Sequence, residues 1–357
     1  MPVSRSAGQG VSTRRSEASS VPEVAHAGGA DDPRRERIAW LRQLIAERFG
    51  SHVLLDPACL AFSAAPVRSA MPPSSTTSPR FLSTDLLGLD LALGGGLPRG
   101  RLIELAGPTY SGKRTLAGWF VRSVQRAGGW VAYLDAAHSL DFDRLHHWGV
   151  AVLDLLVALP QSVTEALELA RLLVLSGALD LVVLDLPPHL ALRSALDRGL
   201  RQLRPLLRGL PTAFVVVRDR VDTPALATAQ VRLRLEPLTQ LVRPGPLAAQ
   251  ALPEGLRVHV RIERGPLWPP RDPPVPIELC LREGVRVALE RIDLGLALGV
   301  IRLHSLGLIF AETVLGRTRE RAAVRLQSDP SLWSQLEEEI RVRWLSGDRS
   351  LAAPTAR

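Results

Sequence analysis

The sequence predicts an α/β protein built on a mostly parallel sheet with helices on both faces. From Leu82 to about Leu235, short apolar runs alternate with segments whose apolar residues recur at helical spacing. This alternation is typical of parallel sheets, because each crossover between parallel strands places a helix over one face. One apolar run also leads into a glycine-containing loop that opens a helix, which is the setting of a phosphate-binding loop.

The elements of this region follow one another in a regular order. Apolar runs predict core strands over 102–106, 131–134, 153–158, 181–184 and 213–217. Helical spacing predicts helices over 113–127, 140–148, 163–176 and 190–209. Further strands are predicted over 229–235, 256–263 and 276–281, before helix-rich sequence over 291–345. We therefore expect a core domain over 81–290 and a small C-terminal domain and tail over 291–357.

The N-terminal part differs from this core. Residues 1–33 lack periodic apolar positions, which predicts a disordered arm, and residues 34–80 form a helix followed by a linker rich in Pro, Ser and Thr. The helix over 34–49 carries an apolar stripe made of Ile38, Leu41, Leu44, Ile45 and Phe49. We expect this stripe to pack on a neighbouring molecule, because it would otherwise be exposed, although the linker also allows it to fold back.

Composition narrows the classes of function. The net charge of +8 favours a polyanionic partner such as nucleic acid, although an arginine-rich coding bias produces the same excess. Two cysteines, Cys59 and Cys280, provide neither a disulfide framework nor a metal-binding spacing. No uncharged apolar run reaches the roughly 18 residues that a membrane span needs, so we expect a cytoplasmic protein without a membrane partner.

Lys113 is the only lysine of the chain, although Lys and Arg together number 44. Arginine replaces lysine on a solvated surface, but not where a compact charge on a thin stem must fit. Lys113 ends a G-x-x-x-x-G-K element, whose backbone N–H groups and lysine bind nucleotide phosphates. The predicted nucleotide-binding residues of this loop are Gly107, Pro108, Thr109, Tyr110, Ser111, Gly112, Lys113, Arg114 and Thr115.

Two further positions bear on the metal that usually accompanies a nucleotide. Asp185 ends an apolar strand and is expected to act on Mg²⁺ through water. The residue after the loop lysine should be Ser or Thr to bind Mg²⁺, but Arg114 stands there and Thr115 follows it. A helix turns about 100° per residue, so Thr115 points in another direction. The candidate metal ligands are therefore Thr115 and Asp185, and metal binding is in question. Near them, Asp135 ends the adjacent strand, and His138 is interpreted as a surface residue.

The stretch from Phe81 to Asp185 resembles the core of the RecA recombinase family. The matching segments are STDLLGLDLALGGGLPRGRLIELAGPTYSGKRT, YLDAAHSLD and SGALDLVVLD. The helix over 34–49 more weakly resembles the family's N-terminal oligomerisation helix. The family's small C-terminal domain is also weakly similar to two segments, ERIDLGLALGVI and SDPSLWSQLEEEIRVRWL. The resemblance implies a RecA-like phosphate-loop ATPase core with a mostly parallel sheet, an N-terminal helix and a small C-terminal α/β domain. It also implies ATP as the cofactor, with Mg²⁺ in the family's usual case.

The chain departs from the family at the positions that the resemblance makes functional. Ala137 stands where the family has its catalytic glutamate. Asp219 stands near the position of the family's nucleotide-sensing glutamine, and Arg144 stands where the family has the aromatic residue that stacks on adenine. The two lysines that reach the nucleotide across the subunit interface fall near Ile262 and Arg264, so one cation remains and Arg264 joins the nucleotide-binding set. The DNA-binding loops, expected between Asp185 and Arg201 and after Arg218, are short. These departures imply weak or vestigial ATP binding and little or no turnover.

Three functions fit this pattern. The first is a divergent RecA paralogue of the ImuA type, a scaffold in SOS-induced translesion mutagenesis that binds RecA or itself through 34–49 and contacts DNA polymerase accessory proteins. In this function the basic helix over 190–209 would bind single-stranded DNA weakly; alternatively, its basic side chains form a solvated face. The arginines of this helix are Arg193, Arg198, Arg201, Arg204 and Arg208. The second is an active DNA-dependent ATPase or recombinase, and the third is a cell-division inhibitor on a RecA-like fold.

Overall fold

The structure of the chain is a computed structural model that describes residues 33–56, 80–187, 193–219, 226–244, 251–265 and 274–346. The predicted disordered arm, apart from Pro33, and nearly all of the predicted linker over 64–80 lie outside these ranges. None of the described helices is long and apolar enough to cross a membrane.

The described elements follow the predicted alternation closely. The strands are β1 (Leu54–Leu55), β2 (Phe81–Leu82), β3 (Leu97–Pro98), β4 (Leu102–Gly107), β5 (Val131–Asp135), β6 (Leu156–Ala158), β7 (Leu181–Leu186), β8 (Ala213–Asp219), β9 (Val231–Pro244), β10 (Ala251–Arg264), β11 (Val275–Cys280), β12 (Gly284–Val285), β13 (Ile301–His304), β14 (Gly307–Phe310) and β15 (Thr313–Gly316). The helices are α1 (Pro33–Phe49), α2 (Leu87–Leu93), α3 (Lys113–Arg126), α4 (Phe142–His147), α5 (Val163–Leu175), α6 (Arg193–Leu207), α7 (Val287–Ala297), α8 (Arg319–Ser328) and α9 (Pro330–Leu345).

A ten-stranded sheet in the order β1-β6-β5-β7-β8-β4-β9-β10-β11-β12 forms the centre of the fold. The run from β6 to β9 is parallel throughout, whereas β1 and the strands from β10 to β12 pair antiparallel at the two edges. The predicted fold class, an α/β protein with a mostly parallel sheet, is thereby confirmed.

Apolar side chains alternate between the two faces of the parallel strands. On β5, Val131 and Tyr133 join one buried cluster with α3, whereas Ala132 and Leu134 join a second cluster with α5 and α6. Burial on both faces explains why these strands read as continuous apolar runs in the sequence.

Helix α1 belongs to the second of these clusters. Its side chains Leu41 and Ile45 are fully buried and Ile38 is 5% exposed. The helix is also fixed by Arg34, whose Nη1 lies 3.0 Å from Asp180 Oδ2, and by Arg42, whose Nη2 donates to the Leu155 carbonyl at 3.2 Å. In this conformation the stripe of 34–49 packs on the chain's own core, which is the alternative that the linker allows, and its packing on a neighbouring molecule stays a prediction. The chain's own α/β core provides the apolar surface that the stripe needs.

The C-terminal part contains α7, a three-stranded sheet of β13, β14 and β15, and the helices α8 and α9. Its apolar residues are continuous with the cluster on the α3 face of the main sheet. Arg291 on α7 is buried and lies 2.9 Å from carboxylate oxygens of both Glu290 and Glu337, and its Nη1 donates to the Asp85 carbonyl at 3.0 Å. The boundary predicted after residue 290 thus falls inside α7.

Candidate functional site

The loop between β4 and α3 has the backbone of a phosphate-binding loop. Tyr110 has a φ of 63° and Gly112 a φ of 82°, both left-handed. The left-handed φ of Gly112 favours glycine, and a Cβ atom there would lie 2.2 Å from Cδ1 of Leu279, so that side chain would have to move. Left-handed residues in such a turn make concavities of backbone N–H groups that bind anions. The predicted loop over 107–115 is thus positioned at the start of α3, where the helix dipole also favours negative charge.

Lys113 is held inside the protein by its own chain. Its side chain is 2% exposed, its Nζ donates to the Pro108 carbonyl at 3.0 Å, and it forms an ion pair with Asp219. Asp219 reaches it because β8 pairs parallel with β4, with Asp219 level with Gly107. A carboxylate thus neutralises the one lysine that the sequence predicts to bind phosphate.

Asp185 near the end of β7 is fully buried, and one of its two carboxylate oxygens is surrounded by donors, whereas Oδ1 has no hydrogen-bond partner among the described residues. Its Oδ2 accepts hydrogen bonds from Arg114 Nε at 2.7 Å, Ser139 Oγ at 2.9 Å and the Tyr133 hydroxyl at 3.3 Å. Burial, reinforced by the charge of Asp185, raises the pKa of Tyr133 well above its usual value, so its phenol stays a neutral donor. The Arg114 guanidinium is the cation that compensates the charge of Asp185.

Asp135 lies beside Asp185 in the register of β5 and β7. It accepts hydrogen bonds from the backbone N–H groups of Ser139 at 2.9 Å and Leu140 at 3.0 Å, which orders the turn after β5. Burial raises its pKa, and the two amides oppose that shift. Ala137 lies within this turn, and its methyl group cannot accept a proton from an attacking water.

Arg144 and Arg264, which stand at positions that the resemblance makes functional, have partners outside the loop. Arg144 is exposed on α4 and pairs with Asp141 at 3.3 Å. Arg264 donates from Nη1 to the Ala229 carbonyl at 3.1 Å. On the sheet, Arg264 pairs with Arg232 on β9, and Arg232 pairs with Glu104 in the middle of β4, so Arg264 is not level with the phosphate loop that follows β4. Its proposed contact with a nucleotide bound to a neighbouring subunit stays a prediction.

The basic helix α6 packs with a leucine stripe against the sheet, and Arg198, Arg201 and Arg208 at its outer side and C-terminal end are exposed. Parts of the two predicted DNA-binding loops, residues 188–192 and 220–225, lie outside the described residues.

The arrangement around Asp185 does not fit a divalent cation. Arg114 already places a positive charge on Oδ2, and a second cation there would be repelled. Thr115 contributes no hydrogen bond or ion pair to this cluster, and the described residues contain no group of three or more His, Cys, Asp or Glu side chains that would hold a metal. The assignment of Thr115 and Asp185 as Mg²⁺ ligands thus finds no support in this geometry.

The structure adds three residues that the sequence reading did not assign to the site. Side chains two residues apart on a strand lie on the same face of the sheet. Tyr133 precedes Asp135 by two residues on β5, so the sequence could have placed it on the same face as Asp135. Asp219 was noted as a departure from the family but not as the partner of Lys113. Ser139 carries no sequence signal that marks it as a donor to Asp185.

A parallel sheet with a phosphate loop at the carboxyl end of one strand and an aspartate at the end of another defines a phosphate-loop nucleotide-binding protein. The family model "RecA N-terminal domain" matches residues 72–204. Protein RecA of Thermus thermophilus is 33% identical over 305 residues, which cover 76% of this chain and 87% of that protein. Protein RecA of Azospirillum lipoferum is 30% identical over 306 residues, covering 77% and 84%.

Protein RecA of Caulobacter vibrioides is similarly 32% identical over 287 residues, covering 73% of this chain and 80% of that protein. The chain therefore belongs to the RecA family of DNA-repair and recombination proteins, as the resemblance of Phe81–Asp185 indicates.

Proposed function

We propose that this RecA-family protein is an adaptor in SOS-induced translesion mutagenesis, that it binds ATP weakly at 107–115, and that it hydrolyses little of it. Its partners in this proposal are RecA or a second copy of the chain, and DNA polymerase accessory proteins.

The observation that carries the proposal is the pairing of both loop cations with carboxylates of the chain. A nucleotide phosphate that contacts Lys113 has to displace Asp219 or lie beside it, and two negative charges in a buried site repel each other. Ala137 adds a second deficit, because loss of a general base costs about 10²–10⁴ in rate. A protein with a retained fold and an impaired catalytic site is suited to binding partners rather than to driving a nucleotide cycle.

The structure changes where association is to be sought. Because Leu41 and Ile45 are buried in the chain's own core, the stripe of 34–49 does not offer an exposed surface in this conformation. Association through this helix would require it to leave its own core, so the adaptor proposal loses the support that an exposed stripe would give. It rests instead on the family and on the altered site.

A complementation assay separates an adaptor from an ATPase. In a strain that lacks the gene, we expect damage-induced mutation frequency to fall, and both the wild-type chain and Lys113→Ala to restore it, because an adaptor does not depend on nucleotide turnover. Mutation frequency after ultraviolet irradiation is the measurement, with the level of each protein checked by immunoblot.

A loss of recombination in the deletion strain that wild type restores and Lys113→Ala does not would instead support the active ATPase or recombinase. An unchanged mutation frequency in the deletion strain would contradict the adaptor role outright.

Single-stranded DNA binding is proposed to be weak and driven by phosphate contacts of α6. If Arg198, Arg201 and Arg208 each neutralise one phosphate, the logarithm of affinity should fall with the logarithm of salt concentration with a slope of roughly −2. Fluorescence anisotropy of a labelled oligonucleotide at several salt concentrations measures this slope.

Replacing those three arginines with glutamine should bring the slope close to zero. Replacing the exposed Arg317, Arg321 and Arg325 instead is the charge-matched control and should leave the slope nearly unchanged. Tight binding that survives high salt would show that a DNA-binding segment other than α6 is responsible.

A further inference from the structure

Arg114 stands at the first position after the loop lysine, where the phosphate-loop motif has the hydroxyl residue that binds Mg²⁺. The side chain turns toward β7, and its Nε donates to Asp185 Oδ2 at 2.7 Å. Asp185 is itself the carboxylate that ends a core strand and that would act on the metal. One residue thus removes the hydroxyl ligand and places a positive charge on one oxygen of the carboxylate.

We propose that the Arg114 guanidinium takes the place of the divalent cation at Asp185, so that the phosphate loop holds nucleotide without a metal ion. This inference rests on the proposed binding of nucleotide at 107–115. It assigns Arg114 as the residue that makes the site metal-independent.

The chemistry of the guanidinium suits this role. Arginine stays charged at every physiological pH and presents donors in a planar fork that matches carboxylate and phosphate oxygens. The Nε of Arg114 is used on Asp185, whereas neither of its Nη atoms has a hydrogen-bond partner among the described residues. The side chain is 32% exposed, so these donors are accessible from solvent next to the loop that would hold the phosphates.

The charge of the pocket explains why a metal ion would not join the guanidinium and why affinity for nucleotide stays low. Lys113 and Arg114 are paired with Asp219 and Asp185 respectively. A divalent ion on Asp185 would lie beside the Arg114 guanidinium that already contacts Oδ2, and the two cations would repel each other. Without a metal ion, the phosphates keep their full negative charge and meet both carboxylates, so only weak binding is expected.

Two titrations on the whole chain test the inference. The first measures binding of a fluorescent ADP analogue with magnesium and with excess EDTA. We expect the wild type to bind the ADP analogue with similar affinity in magnesium and in EDTA. For Arg114→Thr we expect magnesium to increase the affinity about tenfold, within the range that groups supporting a metal ion commonly contribute. The second follows Mn²⁺ binding by electron paramagnetic resonance without nucleotide. We expect a bound ion only in Arg114→Thr, lost again when Asp185→Asn is added.

Arg171→Gln, which removes an exposed arginine on α5, is the charge-matched control and should behave as wild type in both titrations. Thermal melts verify folding, and Arg114→Gln provides a second variant, which should lose nucleotide binding in EDTA if Arg114→Thr does not fold. Magnesium-dependent binding by the wild type, or wild-type Mn²⁺ binding that Asp185→Asn removes, would overturn the inference. If no variant binds the ADP analogue under any condition, nucleotide binding as part of the proposed function fails, and the Mn²⁺ titration still decides the role of Arg114.

Discussion

The double substitution Leu41→Asp with Ile45→Asp is expected to unfold the protein. Both side chains are fully buried in the apolar cluster that α1 shares with the sheet, so each new carboxylate would lie among apolar neighbours. Burying an unpaired charge is among the few mechanisms that cost more than about 4 kcal/mol, and two such charges approach the whole stability of a typical domain. Circular dichroism melts should show loss of the cooperative transition or a large fall in its midpoint.

The control places two aspartates at the same spacing on the exposed side of the same helix, through Ala39→Asp and Gln43→Asp. Surface changes of this kind usually alter stability by about 0.5 kcal/mol or less, so the melt should stay close to wild type. A Leu41 and Ile45 double variant that melts normally but no longer self-associates in sedimentation would show that α1 packs on a neighbouring molecule after all.

The parallel core was predictable because each of its strands is buried on both faces and bounded by helices. β4 and β7 differ from their predicted ranges by one or two residues at their ends, and α5 by one. Burial on both faces makes a continuous apolar run, which is the strongest signal that a short strand gives.

The strand pair β9 and β10 was predicted much shorter than it is. Each strand has 14 residues, and β9 extends through 236–244, where most side chains are exposed. A strand exposed on both faces has no alternation of apolar and polar residues to mark it. The resemblance implied a C-terminal α/β domain, but the residue pattern did not locate the strands β13, β14 and β15, which have four residues each, and β13 is largely exposed.

The stripe of α1 shows a different limit of sequence reasoning. Its pattern correctly marks Ile38, Leu41 and Ile45 as residues that must be covered. The pattern contains no information about which molecule provides the covering surface, because an apolar face packs equally well on its own core or on a neighbour. The pairing of β1 with β6 at the sheet edge is one of the contacts that join this segment to its own core, and the apolar pattern of the helix does not predict it.

The residues of the candidate site that belong to a motif could be predicted from the sequence. The contacts that depend on the order of strands in the sheet could not. Lys113 and Asp185 follow from the phosphate loop and from the strand-end aspartate. The pairing of Lys113 with Asp219 depends on β8 lying next to β4, and alternation of strands and helices does not fix that order. The pairing of Arg114 with Asp185 likewise requires the rotation of the first turn of α3 relative to β7.

The second large effect is expected in ATP turnover. The resemblance places Ala137 at the position of the family's catalytic glutamate. The carboxylates of Asp135 and Asp185 already accept hydrogen bonds, Asp135 from backbone amides and Asp185 from Arg114, so we expect neither to replace the glutamate as the base that activates water. Because a general base contributes about 10²–10⁴ in rate, we expect hydrolysis at least about a hundredfold slower than that of a RecA relative that retains the glutamate.

The central claim is that this chain keeps the RecA fold but lacks a working catalytic site. Steady-state ATP hydrolysis by the full chain, with and without single-stranded DNA, tests it most directly. Protein RecA of Caulobacter vibrioides serves as the comparison, and Lys113→Ala as the background control. We predict a rate near background that DNA does not stimulate and that Lys113→Ala does not lower. A DNA-stimulated rate comparable with that of the relative, abolished by Lys113→Ala, would contradict this account.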